Sequence, residues 1–578
     1  MIKQVRLRYF KRFQEETFDI SDSIILAGSN NAGKTTLLQA IAVWSLALQK
    51  WLTERGLKSG SIASKRTGVA ITRKDFTAIP LREMNLLWTN CSTALYKEEL
   101  KEGQKLGTPR LIEIEVKGKA EKGDWSLKLE FTYRYPDVIH VRPAEETPME
   151  VLEIAKNIQV VHVPSFSGIG AEETRYDKAY QSLLIGQGKP GDILRNLLLE
   201  VAREKPEEWK QLCFDIEKMF SYRLLPPIYE GRPFILCEYQ PDISNNKGRK
   251  GRLPRLDISC AGSGFLQVLM LLGFFYARPA SILLLDEPDA HLHVILQKQI
   301  YDRLREISRQ RGCQVLIATH SEVLVDGTSP EKIISFFQHP HKLEFNTERE
   351  QVREALKRLT SLDLLMVEQS SGILYVEGES DVNLLREWAR IFEHPASQFF
   401  SKNLFWHNNQ GRHPREARAH FFALQAVKPN IHGVLILDGD NRQLPDHELL
   451  ADGLTILRWR RYEAENYLIH PEVLARFVKG ATPNLFTMAS AEKGLEYLKN
   501  QLPPAVYENP LVEHDYLNVT PASKTLLPGF FKAADLPLTK NEYYQVAAQM
   551  LPEEIPNEVK DKCNVIYEIL KETDLKEE

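Results

Sequence analysis

The 578-residue sequence is poor in cysteine, has no long apolar run and carries no large excess of charge of either sign. Its six cysteines include no CxxC pair, which argues against a disulfide framework or zinc ribbon and indicates reduced thiols in a cytoplasmic protein. The longest nearly apolar run, residues 265–277, is shorter than the roughly 20 residues that span a bilayer, so we expect no membrane segment. The N-terminus also lacks the apolar block of a secretory signal.

The charge balance excludes one broad class of protein. Lys plus Arg total 74 against 78 for Asp plus Glu, giving a formal net charge of -4, which argues against a histone-like nucleic-acid binder but not against local basic patches. Hydrophobic residues make up 43% and charged residues 26%, so the chain should fold rather than remain disordered. At about 150 residues per domain, this length predicts two or three domains.

Periodicity predicts two successive α/β regions. In the first, residues 110–135 alternate as a β-hairpin and indicate an antiparallel sheet, while the strand–helix order of 281–335 is typical of a parallel α/β unit. Residues 190–222 have helical spacing, and 241–255 forms a basic, Gly- and Pro-containing segment that we expect to be an exposed loop. The second region has strands predicted at 373–376, 434–437 and 454–457.

Residues 28–35, Gly-Ser-Asn-Asn-Ala-Gly-Lys-Thr, match the phosphate-binding pattern G-x-x-x-x-G-K-[ST] between a buried strand and a helix. Backbone N–H groups of such a loop wrap the phosphates of a nucleotide, the lysine reaches the β- and γ-phosphates, and the threonine ligates Mg²⁺. The predicted ATP contacts here are Gly28, Asn30, Asn31, Gly33, Lys34, Thr35 and Thr36.

Two further strand ends carry residues that suit nucleotide hydrolysis. Asp286 and Glu287 follow the apolar run 282–285, where unpaired charges are costly unless they serve a cation. We predict that Asp286 supports Mg²⁺ and that Glu287 is the base that polarises the attacking water. His320 follows the next predicted strand, where it would contact the γ-phosphate.

This series of motifs resembles the ABC-type ATPase head of the SMC and RecF-like branch. Residues 289–293 look like its D-loop, and residues 257–267 look like a divergent signature motif in which Ser263 and Gly264 match the family's Ser-Gly. The departure from Leu-Ser-Gly-Gly-Gln is clear. The resemblance implies that the signature of one head completes the ATP site of another, and hence a homodimer or higher homo-oligomer.

Carboxylates follow two buried strands of the second region. Glu377 and Asp381 come after strand 373–376, and Asp438 and Asp440 come after strand 434–437. Because the carboxyl ends of parallel strands meet at the same edge of a sheet, these side chains should converge. Clustered carboxylates repel one another and need a hard cation, so the sequence predicts a Mg²⁺ or Mn²⁺ site.

The carboxylate pattern resembles the Toprim domain. In its nuclease members a later segment supplies a further metal carboxylate, for which Glu465 is the first candidate and Glu463 the second. A late lysine that stabilises charge at the cleaved phosphate is also implied, with Lys540 as the first candidate and Lys524 as the competitor. The implied catalytic groups of this domain are Glu377, Asp438, Asp440 and Lys540, and the implied metal ligands are Glu377, Asp381, Asp438, Asp440 and Glu465.

Basic residues between and beside these motifs suit a phosphate-bearing substrate. They are Lys402, His407, Arg412, His413, Arg415 and Arg418, followed by Arg458, Arg460 and Arg461. Taken alone, such charges more often form a solvated surface.

An ABC-type ATPase followed by a Toprim domain resembles the OLD (overcoming lysogenisation defect) family, including Gabija-type antiphage nucleases. The resemblance implies an α/β protein: an ABC-type ATPase head over 1–345 with an antiparallel β subdomain and a helical insertion at about 170–255, a linker over 346–370, and a Toprim domain with a parallel sheet and C-terminal helices over 371–578. It implies a cytoplasmic ATPase and metal-dependent endonuclease with ATP and Mg²⁺ or Mn²⁺ as cofactors.

The implied partners are nucleic acid, a second copy of the chain and a neighbouring defence protein. DNA is favoured over RNA as the substrate, but the sequence does not choose between them because both present the same phosphodiester chemistry. Two alternatives remain open from the sequence. The chain would be an ATP-driven sensor or scaffold that holds and releases a partner without cutting nucleic acid, or a transporter-associated ATPase. The transporter-associated ATPase does not explain the carboxylate cluster of the second region.

Overall fold

The computed structural model describes residues 1–20, 22–56, 67–100, 105, 107–120, 123–166, 168–241, 254–401, 404–409, 414–440 and 452–571. The chain divides into two compact units, Met1–Leu356 and Lys357–Glu578. Most of the predicted basic loop at 241–255 and the patch residues Lys402, Arg412 and His413 lie outside the described residues.

The first unit contains a six-stranded antiparallel sheet in the order β2-β1-β5-β6-β7-β4. Its strands are β1 (Ile2–Phe10), β2 (Phe13–Asp19), β4 (Val69–Thr72), β5 (Ile112–Ala120), β6 (Gly123–Tyr135) and β7 (Val138–Pro143). Side chains of β5 alternate between buried and partly exposed positions, as expected for a sheet with one face on the core. The predicted hairpin is therefore confirmed as β5 and β6.

A second sheet of this unit is mostly parallel, in the order β15-β14-β3-β13-β12-β8. Its strands are β3 (Ile24–Ala27), β8 (Val160–Val163), β12 (Ile282–Asp286), β13 (Gln314–Thr319), β14 (Ile333–Ser335) and the antiparallel edge strand β15 (His341–Lys342). In register, Asp286 lies opposite Ala318 and Thr319 opposite Ala27. The loops after β3, β12 and β13 therefore leave the same edge of the sheet.

Helices follow or connect the strands of these sheets, and the third, fourth and fifth of them lie in the predicted helical insertion at about 170–255. They are α1 (Lys34–Arg55), α2 (Met149–Ala155), α3 (Lys178–Gly186), α4 (Leu194–Glu204), α5 (Pro206–Phe220), α6 (Ser263–Ala277), α7 (Val294–Arg311), α8 (Glu322–Asp326) and α9 (Asn346–Arg358), with a small sheet of β9 (Tyr222–Leu224), β10 (Glu238–Pro241) and β11 (Leu256–Asp257). The apolar run 265–277 is buried throughout α6, so it is a core helix. Within the described ranges no helix is long and apolar enough to cross a membrane.

The second unit is built on a parallel sheet in the order β17-β16-β18-β19. Its strands are β16 (Gly372–Val376), β17 (Trp406–Asn408), β18 (His432–Leu437) and β19 (Leu454–Arg458). Three of these are the predicted strands, whereas β17 is too short to show a period in the sequence. Its α-helices are α10 (Ser361–Gln369), α11 (Glu379–Ile391), α12 (Ser397–Ser401), α13 (Pro414–Gln425), α14 (Pro471–Lys479), α15 (Leu485–Gln501), α16 (Pro504–Glu508), α17 (Asp515–Val519), α18 (Leu527–Ala533), α19 (Tyr544–Ala547) and α20 (Asn557–Leu570).

Short helical turns complete both units. The 3-10 turns are Met84–Leu87, Thr89–Cys91, Lys97–Glu99, Pro190–Ile193, Ile258–Cys260, Pro330–Lys332, Ala464–Leu468, Lys540–Glu542 and Pro552–Glu554, and Ala522–Leu526 is a π-helical turn. The segment predicted as a linker, 346–370, carries α9 and α10. The carboxylate and lysine candidates Glu465 and Lys540 lie in two of the 3-10 turns.

Candidate functional site

The loop between β3 and α1 has the backbone shape of an anion-binding turn. Asn31 and Gly33 adopt left-handed conformations, with φ of 59° and 109°. No side chain caps the start of α1, so its first N–H groups are available to an anion. A Cβ on Gly28 would lie 2.8 Å from Cβ of Phe336, so glycine is needed where the loop leaves the sheet.

Lys34 lies inside this loop. Its Nζ donates hydrogen bonds to the carbonyl oxygens of Gly28 and Ser29, each at 2.7 Å, and lies 3.4 Å from Nδ1 of His320. Burial lowers the pKa of Lys34 to about 8. A phosphate group that replaced the two carbonyl partners would place negative charge in direct contact with this buried ammonium group.

Asp286 and Thr35 meet beside the loop. Oγ1 of Thr35 donates a hydrogen bond of 2.9 Å to Oδ1 of Asp286. Burial raises the pKa of Asp286 to about 6, with the charge of Glu287 adding to the effect. A hydroxyl and a destabilised buried carboxylate in contact are suitable oxygen donors for Mg²⁺.

Glu287 and His320 form a close pair. Nε2 of His320 lies 2.6 Å from Oε1 of Glu287, and Nδ1 of the same ring lies 3.1 Å from the carbonyl oxygen of Gly28. The hydrogen bond from His320 holds the pKa of Glu287 below its ordinary value. Glu287, the first residue after β12, also has a positive φ of 49°, which is uncommon for a residue other than glycine.

The residues that resemble a signature motif lie at the start of α6. Ser263 is the first residue of the helix and is exposed, whereas Gly264 approaches the D-loop-like segment. A Cβ on Gly264 would lie 3.1 Å from the carbonyl oxygen of His291. Asp289 of the same segment accepts a 2.6 Å hydrogen bond from Thr319, a contact with the end of β13 that the sequence did not reveal.

At the end of β16 the backbone positions two carboxylates. Glu377 follows the strand directly, and Asp381 lies in the first turn of α11. The N–H of Gly378 donates a 2.9 Å hydrogen bond to Oδ2 of Asp381, so this carboxylate is held over the strand end. Burial raises the pKa of Asp381, and the charge of Glu465 raises it further.

Asp438 follows the adjacent strand β18 and is influenced by the charges of the same carboxylate cluster. Burial raises its pKa well above the ordinary value, and the charges of Glu377, Asp381 and Glu465 add to that rise. The following residue, Gly439, allows a close approach of the chain after β19. A Cβ there would lie 2.2 Å from the carbonyl oxygen of Arg461, so glycine is required.

Glu465 completes this cluster from the turn Ala464–Leu468. It is fully buried, and Nζ of Lys540 lies 3.0 Å from its Oε1. Apart from this ion pair, neither carboxylate oxygen has a hydrogen-bond partner in the part of the chain that the structure describes. The alternative candidate, Glu463, is instead engaged by the N–H of Ser523, which donates to Oε1 at 2.5 Å.

Other predicted residues take different positions. Lys524 is exposed in the π-helical turn, and Asp440 is partly exposed two residues after Asp438. Arg461 was expected in a substrate-facing basic patch, but this was wrong because its guanidinium is buried and donates to the carbonyl oxygens of Asn466 and Pro510.

One residue at this sheet edge was missed. The N–H of Asn409, just after β17, donates to the carbonyl oxygen of Val376 at 2.8 Å. Its buried side-chain amide has no hydrogen-bond partner among the described residues. Because β17 has only three residues, the sequence offered no periodic signal that would have placed Asn409 here.

Comparison with known proteins bears on the first unit. Residues 239–326 match the family described as "AAA domain, putative AbiEii toxin, Type IV TA system". A search of curated proteins finds no match. The matched segment includes Asp286 and Glu287 and, together with the phosphate-binding loop, it supports an ATPase-type domain in the first unit.

Solved structures of SMC heads align with the chain at low similarity. The SMC head domain from Thermotoga maritima is 12% identical, with 60% of this chain and 99% of that chain covered and a TM-score of 0.32. A Smc head domain with a coiled coil and joint from Pyrococcus yayanosii is 13% identical, with 62% and 99% covered and a TM-score of 0.35. Scores this low carry no argument about function.

Proposed function

We propose that the protein is an ATP-dependent endonuclease of the OLD family, in which an ABC-type ATPase controls a Toprim nuclease domain, as in Gabija-type antiphage proteins. The observation that carries the proposal is that Glu377 and Asp438 follow two directly paired parallel strands, while Lys540 lies 3.0 Å from the buried Glu465. The raised pKa values of Asp381 and Asp438 agree with this clustering of carboxylates. Buried carboxylates with raised pKa values are unfavourable without a cation. Such carboxylates do not stabilise the fold by themselves, so their clustering points to a binding site for a cation.

The donor set suits one or two hard divalent cations. Glu465 is buried with two oxygens that lack hydrogen-bond donors among the described residues apart from the Lys540 ion pair, so they are suitable ligands. Glu377, Asp381, Asp438, Asp440 and Glu465 would hold Mg²⁺ or Mn²⁺. When bound, such ions activate water and stabilise charge on a phosphodiester.

The chain's own groups have separate tasks in this proposal. The Gly378 N–H group orients Asp381, and Gly439 allows the strand ends to approach closely. The ammonium group of Lys540 orients Glu465 and would offset the negative charge that develops on the cleaved phosphate. Arg415, Arg418 and Arg458 would contact the phosphate backbone without reading sequence.

In the ATPase unit, Lys34 would exchange its two carbonyl partners for the β- and γ-phosphates. Thr35 and Asp286 would hold Mg²⁺, and Glu287, oriented by His320, would accept a proton from the attacking water. Ser263 and Gly264 of one copy would complete the ATP site of a second copy. ATP would thereby favour one state of the homodimer, through its differential affinity for the two states.

The proposed substrate is nucleic acid, DNA in preference to RNA, and the proposed setting is antiphage defence or DNA processing with a neighbouring defence protein. The test is incubation of the full chain with ATP, Mg²⁺ or Mn²⁺, and a panel of plasmid, linear duplex and tRNA. We expect cleavage that is lost in Glu377→Ala and Asp438→Ala while ATP hydrolysis continues. Asp535→Ala, which changes an exposed carboxylate, is the matched control.

Two outcomes would overturn the nuclease assignment. Cleavage that persists in both carboxylate variants would show that the cutting site lies elsewhere or belongs to a contaminant. ATP hydrolysis without cleavage of any substrate, under every metal and nucleotide condition, would instead favour an ATP-driven sensor or scaffold.

A further inference from the structure

A second cluster of metal-ligand side chains lies in the second unit, apart from the carboxylates. Asp363 of α10, His407 of β17 and His420 of α13 each place one ligand atom so that all three atoms lie within 4.8 Å of one another. His407 pairs with Tyr375 across β16 and β17. Leu374 and Val376 belong to the core on one face of the sheet, so Tyr375 and this cluster lie on the other face.

Hydrogen bonds orient both imidazole rings. Nδ1 of His407 lies 3.0 Å from the carbonyl oxygen of Asn408, and since a carbonyl can only accept, this nitrogen carries the proton. Nδ1 of His420 lies 2.8 Å from the hydroxyl oxygen of Tyr375, which can accept a hydrogen bond from a protonated Nδ1 or donate one to an unprotonated Nδ1. When Nδ1 of His420 donates to Tyr375, both rings present Nε2 as the unprotonated nitrogen, the state in which imidazole binds a metal.

Asp363 is oriented by a separate contact. Its Oδ2 accepts hydrogen bonds from the N–H and the hydroxyl of Thr360, at 2.8 and 2.7 Å. The same oxygen lies 3.7 Å from Nε2 of His420, which is too long for a hydrogen bond. His420 is only 6% exposed, and its Nε2 has no hydrogen-bond partner among the described residues. A buried acceptor without a partner costs free energy unless something binds it.

We propose that Asp363, His407 and His420 bind one transition-metal ion, zinc by the chemistry of the ligands. Two imidazoles and one carboxylate form a donor set typical of Zn²⁺. In a tetrahedral site with bonds of about 2.1 Å, ligand atoms lie about 3.4 Å apart, close to the 3.7 Å between Asp363 and His420. All three ligand atoms lie within 4.8 Å of one another, which is wider than a zinc site requires. The rings of His407 and His420 are stacked, with centroids 4.2 Å apart and planes inclined by 28°, so the imidazoles would have to turn toward the ion.

The ion would act as a structural clip. It would join three separate elements, α10, β17 and α13, and β17 is a three-residue strand at the edge of its sheet. The ion would therefore fix this edge strand against β16, the strand that leads to Glu377. The proposal goes beyond the nuclease assignment and does not depend on it, because none of the three ligands belongs to the carboxylate cluster.

The test measures zinc binding by the full chain after chelation and dialysis, in excess Mg²⁺ so that the carboxylate cluster does not compete. We expect one tightly bound zinc per chain, a higher thermal unfolding midpoint on its addition, and visible absorption bands of tetrahedral character when Co²⁺ replaces it. His407→Ala and His420→Ala should abolish these effects. His432→Ala, which removes an exposed histidine from the same unit, should retain them.

Two further variants keep the test decisive. Tyr375→Phe removes only the partner of His420 and should weaken zinc binding about 10- to 100-fold, even if the alanine variants fold poorly. Asp438→Asn should bind zinc as the wild type does, which separates this site from the proposed nuclease site. Absence of zinc binding, or equal binding by His407→Ala and His420→Ala, would overturn the proposal.

Discussion

Nζ of Lys540 lies 3.0 Å from Oε1 of the fully buried Glu465, so a late turn of the chain supplies the counter-charge for the carboxylate cluster. Burial alone would lower the pKa of Lys540, but the negative charges of Glu465 and Asp381 outweigh that effect and raise it above its ordinary value. Lys540 is therefore protonated at neutral pH. The contact favours Lys540 over the exposed Lys524 as the lysine of the proposed nuclease site.

Lys540→Ala should both destabilise the second unit and abolish cleavage. Removing the ammonium leaves Glu465 without its partner, which we expect to cost about 1–2 kcal/mol, less than for a fully buried pair because the Lys540 side chain is 44% exposed. Cleavage should fall at least about 100-fold. Urea unfolding and plasmid cleavage measure the two effects.

A double-variant comparison separates stability from catalysis at this pair. Adding Glu465→Gln to Lys540→Ala removes the unpaired charge, so the unfolding free energy should recover while cleavage stays absent. Lys524→Ala is the matched control and should change neither. If Lys524→Ala abolished cleavage and Lys540→Ala did not, the assignment of the catalytic lysine would be reversed.

Asp438→Asn should raise, or leave unchanged, the stability of the metal-free protein while it abolishes binding of Mg²⁺ or Mn²⁺ at the carboxylate cluster. Burial and the charges of Glu377 and Asp381 raise the pKa of Asp438, so its charged form is unfavourable without a cation. A neutral amide of similar size relieves that repulsion. Thermal unfolding midpoints with EDTA and with Mn²⁺ check this: Mn²⁺ should stabilise the wild type but not the variant. A marked loss of stability with EDTA would show that Asp438 serves the fold.

Motifs at the ends of apolar strands could be predicted because hydrophobic runs locate the strands and parallel pairing brings their ends together. Asp286, Glu287 and His320 are of this kind, and the register of β12 and β13 explains why they meet. Glu377 and Asp438 follow two strands that pair directly in the second sheet.

Contacts that depend on tertiary packing could not be predicted. The sequence left Lys540 and Lys524 as alternatives because only the folded C-terminal segment decides which approaches Glu465. The sequence indicated a surface charge at Arg461, but its guanidinium is buried and donates to backbone carbonyl oxygens. The cluster of Asp363, His407 and His420 joins three separate elements, and no spacing in the sequence indicates it.

The pH dependence of stability should report the partly buried amine of Lys11, which donates to Oε1 of Gln39 at 2.6 Å. Burial lowers its pKa to about 8 from an ordinary value of 10.5. Between these values the unfolded chain binds more protons than the folded chain, so stability should rise with pH through this window. Relative to Lys11→Met, the wild type should gain stability from pH 8 to 10.5 and show a constant difference below pH 8. A constant difference throughout would show that the amine titrates normally.

Glu287→Gln should preserve ATP binding and slow ATP hydrolysis about 100-fold or more, because the amide cannot accept a proton from water. His320→Ala should act in the same direction, since Nε2 of His320 lies 2.6 Å from the Glu287 carboxylate and orients it. Because the two side chains act as a unit, the double variant should be little slower than Glu287→Gln alone.

Steady-state hydrolysis and equilibrium binding of a fluorescent ATP analogue distinguish these effects, with Glu331→Gln, at an exposed carboxylate, as the control. Hydrolysis at the wild-type rate by Glu287→Gln would remove Glu287 as the base, and multiplicative losses in the double variant would show that His320 acts independently, for instance on the γ-phosphate.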